Sequence, residues 1–182
     1  YGGTHQSLLA HVAETVTGTP WSALFDAEVG TPLGLGSDFF YATNRVAGSG
    51  VSTAPTVVRI FWRIGADAGL LSSASEDARL LSRPLARRFL QSQTSDPVNR
   101  ADSPWAAAGL DLRFGLGIWI DCLEPGDCLH LGSGANGSTA WIDPAGGYAA
   151  ALVAYQRDFT GYRTTHAVMR RLVPELRRAL AR

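Results

Sequence analysis

Residues 128–143 read Cys-Leu-His-Leu-Gly-Ser-Gly-Ala-Asn-Gly-Ser-Thr-Ala-Trp-Ile-Asp, and this stretch has the pattern of two β-strands around a tight turn. Leu129 and Leu131 alternate with smaller or polar neighbours, and so do Thr139 and Trp141, which is the period of a half-buried strand. Between them stands Asn136-Gly137, a strong hairpin signal because both residues of such a turn take positive φ. The stretch therefore predicts a β-hairpin.

The part of the hairpin that could bind a ligand lies just before the turn, in His130-Leu131-Gly132-Ser133-Gly134. Glycines weaken a strand and often mark a place where another group approaches the backbone closely. Bare backbone N–H groups beside a polar side chain can hold an anionic or carbonyl oxygen. The plainer alternative is a hairpin softened by glycines with a histidine on its surface, and the stretch alone does not separate the two.

The composition is that of a globular protein. The chain has 182 residues, 46% of them hydrophobic and 18% charged, which is enough for one domain with a core. Sixteen basic residues balance sixteen acidic ones, so nothing indicates a nucleic acid or an anionic membrane as partner. No apolar run reaches the length of a membrane span. The four histidines and two cysteines form no ligand cluster, so we expect neither a metal nor another cofactor.

The kind of basic residue is informative. All sixteen are arginine, and the chain contains no lysine. A mechanism that needs a lysine base, a lysine Schiff base or a phosphate-binding lysine therefore cannot be carried by this chain alone.

The first part of the chain has helical spacing. The predicted helices cover Thr4–Thr17, Trp21 to about Val29, Thr56 to about Ala68, and a segment capped by Ser82 that runs to about Gln91. Gly30–Gly36 is expected to end the second helix, and 38–50 is predicted as a loop.

From about Leu112 the pattern changes to strands. We predict a long strand over Leu112–Leu123, interrupted by glycines, then the hairpin, then a strand over Tyr148–Gln156. A closing helix over Thr164–Leu180 contains Pro174, which is expected to kink or divide it. These antiparallel strands are few for a complete sheet, so the sheet is expected to be part of a larger one.

Helices separated from a run of antiparallel strands indicate an α+β fold. Residues 1–108 are the predicted helical region. Residues 109–182 are the predicted region of antiparallel strands and C-terminal helix.

Six segments share their order with the motifs of one family. Tyr1-Gly2-Gly3-Thr4 resembles a Tyr-x-Asn motif before a helix, and Thr31–Leu35 resembles a Pro-Leu-Gly-Met loop. The others are Ala47–Ala54 (Ala-Gly-Gly-Leu-x-Ser-Thr), Phe114–Gly117 (Tyr-Gly-Leu-Gly), His130–Gly132 (Lys-Thr-Gly or His-x-Gly) and Trp141–Pro144 (the next strand and turn). Each is weak alone, but together the chain resembles the penicillin-recognising serine hydrolases. The branch is that of the class C β-lactamase relatives, which includes esterases, D-amino-acid peptidases and transesterases.

This resemblance implies a reaction and a β-lactamase/transpeptidase-like fold, of which this chain is the C-terminal part. The family attacks an ester, amide or lactam with a serine held in Ser-x-x-Lys, and forms an acyl-serine intermediate. That motif is expected upstream of the tyrosine, from a missing N-terminal segment or a companion chain of the same precursor. The implied substrate is a small-molecule or peptide ester or amide. The alternative is a non-catalytic pseudoenzyme or interaction module with the same fold.

The resemblance also assigns roles to residues. Tyr1 corresponds to the tyrosine that moves a proton between nucleophile and leaving group. Gly3 replaces an asparagine whose amide would contact substrate, and His130 replaces a lysine and is expected to contact substrate or the tyrosine oxygen. Gly132 lets substrate lie against the strand, and the Ser133 N–H is expected to donate to the oxyanion together with the nucleophile's own N–H.

Cys122 and Cys128, the only two cysteines, flank one turn, and we predict a disulfide between them. Their even separation lets them face each other only across an odd loop, either 124–126 or 123–127. A two-residue Pro125-Gly126 turn would instead put them on opposite faces. A disulfide implies a secreted or periplasmic protein, whereas two reduced cysteines would suit a cytoplasmic one.

Overall fold

The computed structural model describes residues 4–36, 39–41, 50–72, 79–94, 103–134, 137–154 and 160–181. Its helices are α1 (Thr4–Thr17), α2 (Trp21–Phe25), α3 (Thr31–Leu33), α4 (Ala54–Asp67), α5 (Arg83–Leu90) and α6 (Gly161–Leu180). A π-helical turn covers Asp26–Gly30, and a 3₁₀ turn covers Ala106–Ala108. Within these ranges, no helix is long and apolar enough to cross a membrane.

The main sheet has five antiparallel strands in the order in which they follow along the chain. They are β3 (Arg113–Phe114), β4 (Trp119–Glu124), β5 (Asp127–Ser133), β6 (Thr139–Asp143) and β7 (Tyr148–Leu152). Helices before it and a helix after it give the expected α+β fold, but the sheet has more strands than the sequence pattern predicted.

The extra strands come from glycines that turn the chain. Gly117 has a φ of 89°, and the Gly115 N–H donates to the Ile118 carbonyl at 2.8 Å. The segment predicted as one long strand is therefore a hairpin, in which Arg113 pairs with Ile120. A further two-stranded sheet, β1 (Phe39–Tyr41) with β2 (Gly50–Ser52), lies at the two ends of the predicted loop.

Two helix predictions also need correction. Gly30 has helical backbone angles, and the helical path continues through α3 to Gly34, where a φ of 59° ends it. α6 is assigned as one helix of 20 residues although Pro174 lies inside it. Met169 and Val173 are fully buried on the near side of the proline. Packing of this kind offsets the free energy lost with the backbone hydrogen bond that proline cannot make.

The sheet is covered on both faces. On one face, α4 and α5 share a buried apolar cluster with the sheet. Its main members are Ile64, Leu71, Leu90, Ile118 and Ile142. On the other face lies the second core cluster, chiefly Trp105, Trp119, Leu129, Leu131, Trp141, Met169 and Val173. Because side chains alternate along a strand, His130 and Gly132 share the face of α4 and α5, whereas Ser133 shares the face of α6.

The β4–β5 turn combines the alternatives that the sequence left open. Cys122 pairs with Cys128 in the ladder, and their sulfurs form a disulfide, with the two Cα atoms 3.9 Å apart. Glu124 pairs with Asp127, so the turn itself has two residues, and an irregularity between Cys122 and Glu124 restores the register. The disulfide prediction is confirmed, and a bulge reconciles it with the Pro125-Gly126 turn.

The β5–β6 turn is longer than the Asn-Gly signal favours. Ser133 pairs with Thr139, which leaves a loop of residues 134–138. Gly137 has the expected positive φ, at 106°, while Asn136 lies outside the described residues.

Candidate functional site

The predicted site residues fall into two groups. Tyr1 and Gly3 lie outside the described residues. His130, Gly132 and Ser133 lie together at the carboxyl end of β5, so the part of the site that can be placed is one strand end and its surroundings.

The backbone amide of Ser133 points away from β6. The next amide, Gly134 N–H, donates to the Ser138 carbonyl across the β5–β6 loop at 2.7 Å. Successive amides of a strand point to opposite edges, so the Ser133 N–H points toward the β4 side. The β4–β5 ladder stops there at the Trp119–Leu131 pair. Gly117, which would face Ser133 in a longer ladder, turns away and donates its N–H to Gly115.

The Phe114–Gly117 turn is fixed in place by the end of α5. Leu116 N–H donates to the Phe89 carbonyl at 3.2 Å, and Gln93 N–H donates to the Phe114 carbonyl at 2.8 Å. A Cβ on Gly115 would lie 2.7 Å from the Phe89 carbonyl oxygen, so this approach requires glycine. Two of the six motifs, Phe114–Gly117 and His130–Gly132, thus meet. The turn of the first delays the start of β4 to Trp119, which leaves the Ser133 N–H beyond the ladder.

His130 is a neutral imidazole at physiological pH. Burial lowers its pKa to about 4, although a hydrogen bond with the Leu90 backbone acts in the opposite direction. Its Nδ1 is buried and has no hydrogen-bond partner within the described part of the chain. This histidine can therefore accept or donate a hydrogen bond, but it does not supply the positive charge of the lysine that it replaces.

Gly132 makes room for an aromatic ring. A Cβ at this position would lie 2.5 Å from Cζ of Phe61, which projects from α4. On this face of β5, the space over the glycine is occupied by Phe61, a neighbour that sequence reasoning did not connect with the site.

A row of hydroxyl groups joins β5 to α6 on the other face. The Ser133 and Thr139 hydroxyl oxygens are 3.4 Å apart, and those of Thr139 and Thr165 are 2.9 Å apart. Thr165 also donates to the Gly161 carbonyl at 3.0 Å. Sequence analysis missed this row, because its members are brought together only by the docking of α6 on the sheet.

A small pocket lies beside the same strand end. Its volume is about 130 Å³, and Ala54 and Val57 of α4 line one side. Gly132 and Gly134 line it on either side of Ser133 in the sequence. The end of β5 thus carries an amide that points toward β4 beyond the last ladder pair, which suits the binding of a polarised carbonyl oxygen. The neutral histidine is on the face of α4 and α5, and the recess lies between α4, β6 and β7.

Comparison with known proteins identifies the family. Residues 1–173 match the Beta-lactamase family, and the chain belongs to that family. No curated protein matches the chain at a significant level.

Solved structures agree on the fold. One is the crystal structure of a "putative beta-lactamase" from Bacteroides dorei DSM 17855, with a TM-score of 0.65 and 18% identity; the match covers 94% of this chain and 57% of that one. Another is a D-stereospecific amidohydrolase from Streptomyces sp., with a TM-score of 0.54 and 19% identity, covering 83% of this chain and 48% of that one. The present chain thus spans about half the length of each of these proteins.

Proposed function

We propose that this chain forms the oxyanion strand and one wall of the substrate site in a serine hydrolase that cleaves an ester, amide or lactam. The observation that carries the proposal is the Ser133 N–H, directed past the end of β4 at a motif of the Beta-lactamase family. The likeness to a D-stereospecific amidohydrolase supports an amide among the candidate substrates.

The proposed reaction has two steps. A serine hydroxyl gives its proton to Tyr1 as its oxygen attacks the substrate carbonyl. The carbonyl oxygen becomes an oxyanion and accepts hydrogen bonds from Ser133 N–H and from the nucleophile's own N–H. The intermediate collapses to an acyl-serine as the leaving group departs with a proton supplied through Tyr1, and water then releases the acid. One such donor is typically worth about 2.7–4 kcal/mol.

His130 would contribute a hydrogen bond rather than a charge, and the space over Gly132 is taken by Phe61. The neutral imidazole of His130 offers a hydrogen bond to substrate or to the oxygen of Tyr1. A tyrosine that transfers protons near neutral pH needs a nearby positive charge, so that charge would come from the lysine of Ser-x-x-Lys. Gly3 offers no side-chain amide to substrate.

The serine and lysine would come from an N-terminal segment or a companion chain of the same precursor, since these 182 residues contain no lysine. The surface of α1 supports such a partner. Leu8, Leu9, Val12 and Val16 are 62%, 66%, 49% and 80% exposed, an apolar row at helical spacing that a packed segment would bury.

The test is fluorophosphonate labelling of the native protein, purified with whatever segment or chain accompanies residues 1–182, and of its variants Ser133→Ala and Ser133→Pro. We expect labelling of a serine in Ser-x-x-Lys, unchanged within about twofold in the alanine variant and lower by about 100-fold or more in the proline variant. Near-ultraviolet circular dichroism checks that both variants keep the fold.

Two results would contradict the proposal. A stoichiometric adduct on a serine of residues 1–182 would place the nucleophile inside this chain. Absence of any adduct in the folded wild-type protein would favour the alternative, a non-catalytic module with the same fold.

A further inference from the structure

A second, larger pocket lies on the α6 side of the sheet. Its volume is about 650 Å³, within the range of roughly 300–1,000 Å³ that is usual for small-molecule sites. One wall is α6, from Arg163 to Arg171, and the other is 107–110, which includes the end of the 3₁₀ turn. Nothing in the proposed hydrolase chemistry uses these residues.

The lining of this pocket divides into a basic part and an apolar part. Arg163, His166, Arg170 and Arg171 supply the basic part, and none of the described lining residues carries a carboxylate. Apolar surface comes from Ala107, Ala108, Leu110 and Ala167.

Two of the arginines have guanidinium groups available to a ligand. Arg163 is exposed, and its Nε donates to the Tyr162 hydroxyl at 3.0 Å. Arg171 is exposed and makes no ion pair with the described residues.

The Asp121 carboxylate holds the Arg170 guanidinium in one orientation. Its Nε donates to Oδ2 of Asp121 at 2.9 Å, and its Nη2 donates to Oδ1 of the same carboxylate. His166 Nε2 lies 2.8 Å from Oδ2 of Asp121. Burial raises the pKa of Asp121, but the hydrogen bonds from His166 and Arg170 outweigh it and hold that pKa below its usual range.

Burying these polar groups costs free energy that a purely structural role does not require. Asp121 and His166 are each only 2% exposed, and replacing such buried polar groups by apolar side chains is often neutral or stabilising. The pair fixes a guanidinium whose Nη1 has no partner among the described residues, and two exposed arginines lie on the same helix. A guanidinium fork that is already oriented loses little entropy when it binds an anion.

From this geometry we propose that the α6 pocket binds a small anionic molecule, with a phosphate or carboxylate group on the arginines and a compact apolar body against Ala107, Ala108 and Leu110. The anion would take charge-assisted hydrogen bonds from Arg163, Arg170 and Arg171. The short apolar side chains opposite leave a volume that suits a single ring or a branched alkyl group.

The experiment is isothermal titration calorimetry of the full chain with phenyl phosphate and with inorganic phosphate. We expect phenyl phosphate to bind with a Kd below about 1 mM and at least about tenfold more tightly than inorganic phosphate, because only the former also covers the apolar wall. The double variant Arg163→Ala/Arg171→Ala should weaken phenyl phosphate binding about 100-fold. Both residues are exposed, so the variant should keep the fold.

Arg178→Ala is the matched control, because Arg178 lies on the same helix outside the pocket and pairs with Glu175. It should bind phenyl phosphate like the wild type. Equal binding by wild type and the double variant would overturn the proposal, and so would equal affinity for the two phosphates. Binding of a hexaglutamate peptide without binding of phenyl phosphate would also overturn it, in favour of an acidic protein partner.

Discussion

At the scale of single residues, Gly132 decides how closely α4 approaches β5. A Cβ there would lie 2.5 Å from Cζ and 3.3 Å from Cε2 of Phe61. We expect Gly132→Ala to lower the free energy of unfolding by about 1–3 kcal/mol, the usual cost of overpacking. Urea denaturation followed by tryptophan fluorescence measures the change.

Gly134→Ala is the matched control for this substitution. The nearest atom to a Cβ at Gly134 is the Ser138 carbonyl oxygen at 3.6 Å, an ordinary contact. This variant should change stability little, and Phe61→Leu should restore part of the stability lost in Gly132→Ala. If the alanine at 132 is as stable as that at 134, Phe61 does not fill the space over Gly132.

His130 gives the protein a pH dependence in the mildly acidic range. Its pKa is lowered to about 4, first by burial, against about 6.5 in the unfolded chain. Because the folded pKa is the lower one, its contribution to stability is present above about pH 6.5 and is lost as the pH falls toward 4. We expect the free energy of unfolding to be lower by about 2 kcal/mol at about pH 5 than at neutral pH from this group alone.

Urea denaturation of the wild type and His130→Gln across this range isolates the effect. The glutamine variant does not titrate, so its stability should vary less between pH 7 and 5. Hydrogen bonds from His166 and Arg170 to Asp121, and from Arg177 to Asp127, hold the pKa values of both carboxyls below their usual range. The stability that these carboxyls contribute is therefore lost at lower pH. Parallel profiles for wild type and variant would show that His130 is not buried as described.

The residues that define the site differ in how far sequence could reach them. Local pattern predicted the strand of His130, Gly132 and Ser133, and resemblance to the family gave them roles. The neighbours Phe61 and Thr165 were not predicted as part of this cluster, because each comes from a helix about 70 residues before or 30 residues after the strand. Only packing on the two faces of the sheet brings them to it.

At the scale of elements, the β4–β5 hairpin depends on a compromise between its turn and its disulfide. Pro125-Gly126 forms a two-residue turn, and the bulge before Glu124 lets Cys122 face Cys128. Removing the disulfide by Cys122→Ala/Cys128→Ala should lower the free energy of unfolding by about 2 kcal/mol, because the bond closes only a short loop.

Reduction and alkylation of the wild type provide the comparison for the hairpin. The alkylated protein should be destabilised about as much as the double alanine variant. If protein never exposed to reductant already reacts at two thiols, the disulfide is absent.

The type of each element, helix or strand, was predicted better than its bounds. α1 has the predicted bounds, and α5 and β7 lie within their predicted segments. Gly115 and Gly117 look the same in sequence as glycines that merely soften a strand, so the hairpin there could not be distinguished from one interrupted strand. Pro174 failed to divide α6 because burial of Met169 and Val173 outweighs a local preference.

At the scale of the whole molecule, the two faces of the sheet separate two kinds of chemistry. The face of α4 and α5 carries His130 and Gly132, and the face of α6 carries the arginine pocket. The Ser133–Thr139–Thr165 row lies on the α6 face, where it joins β5 to α6. Neither the pocket nor the row follows from the order of family motifs, since both depend on which side chains α6 directs at the sheet.

The exposed row on α1 gives the last prediction. If Leu9 and Val16 contact the segment that carries the nucleophile, Leu9→Glu/Val16→Glu should reduce its co-purification with this chain by about tenfold or more, because charges would be buried in an apolar contact. The stability of residues 1–182 alone should stay within about 0.5 kcal/mol, since both side chains are already more than 60% exposed. Leu180→Glu, at a site 59% exposed on α6, is the control and should leave co-purification unchanged. Equal recovery of the segment with all three proteins would show that α1 is not its docking face.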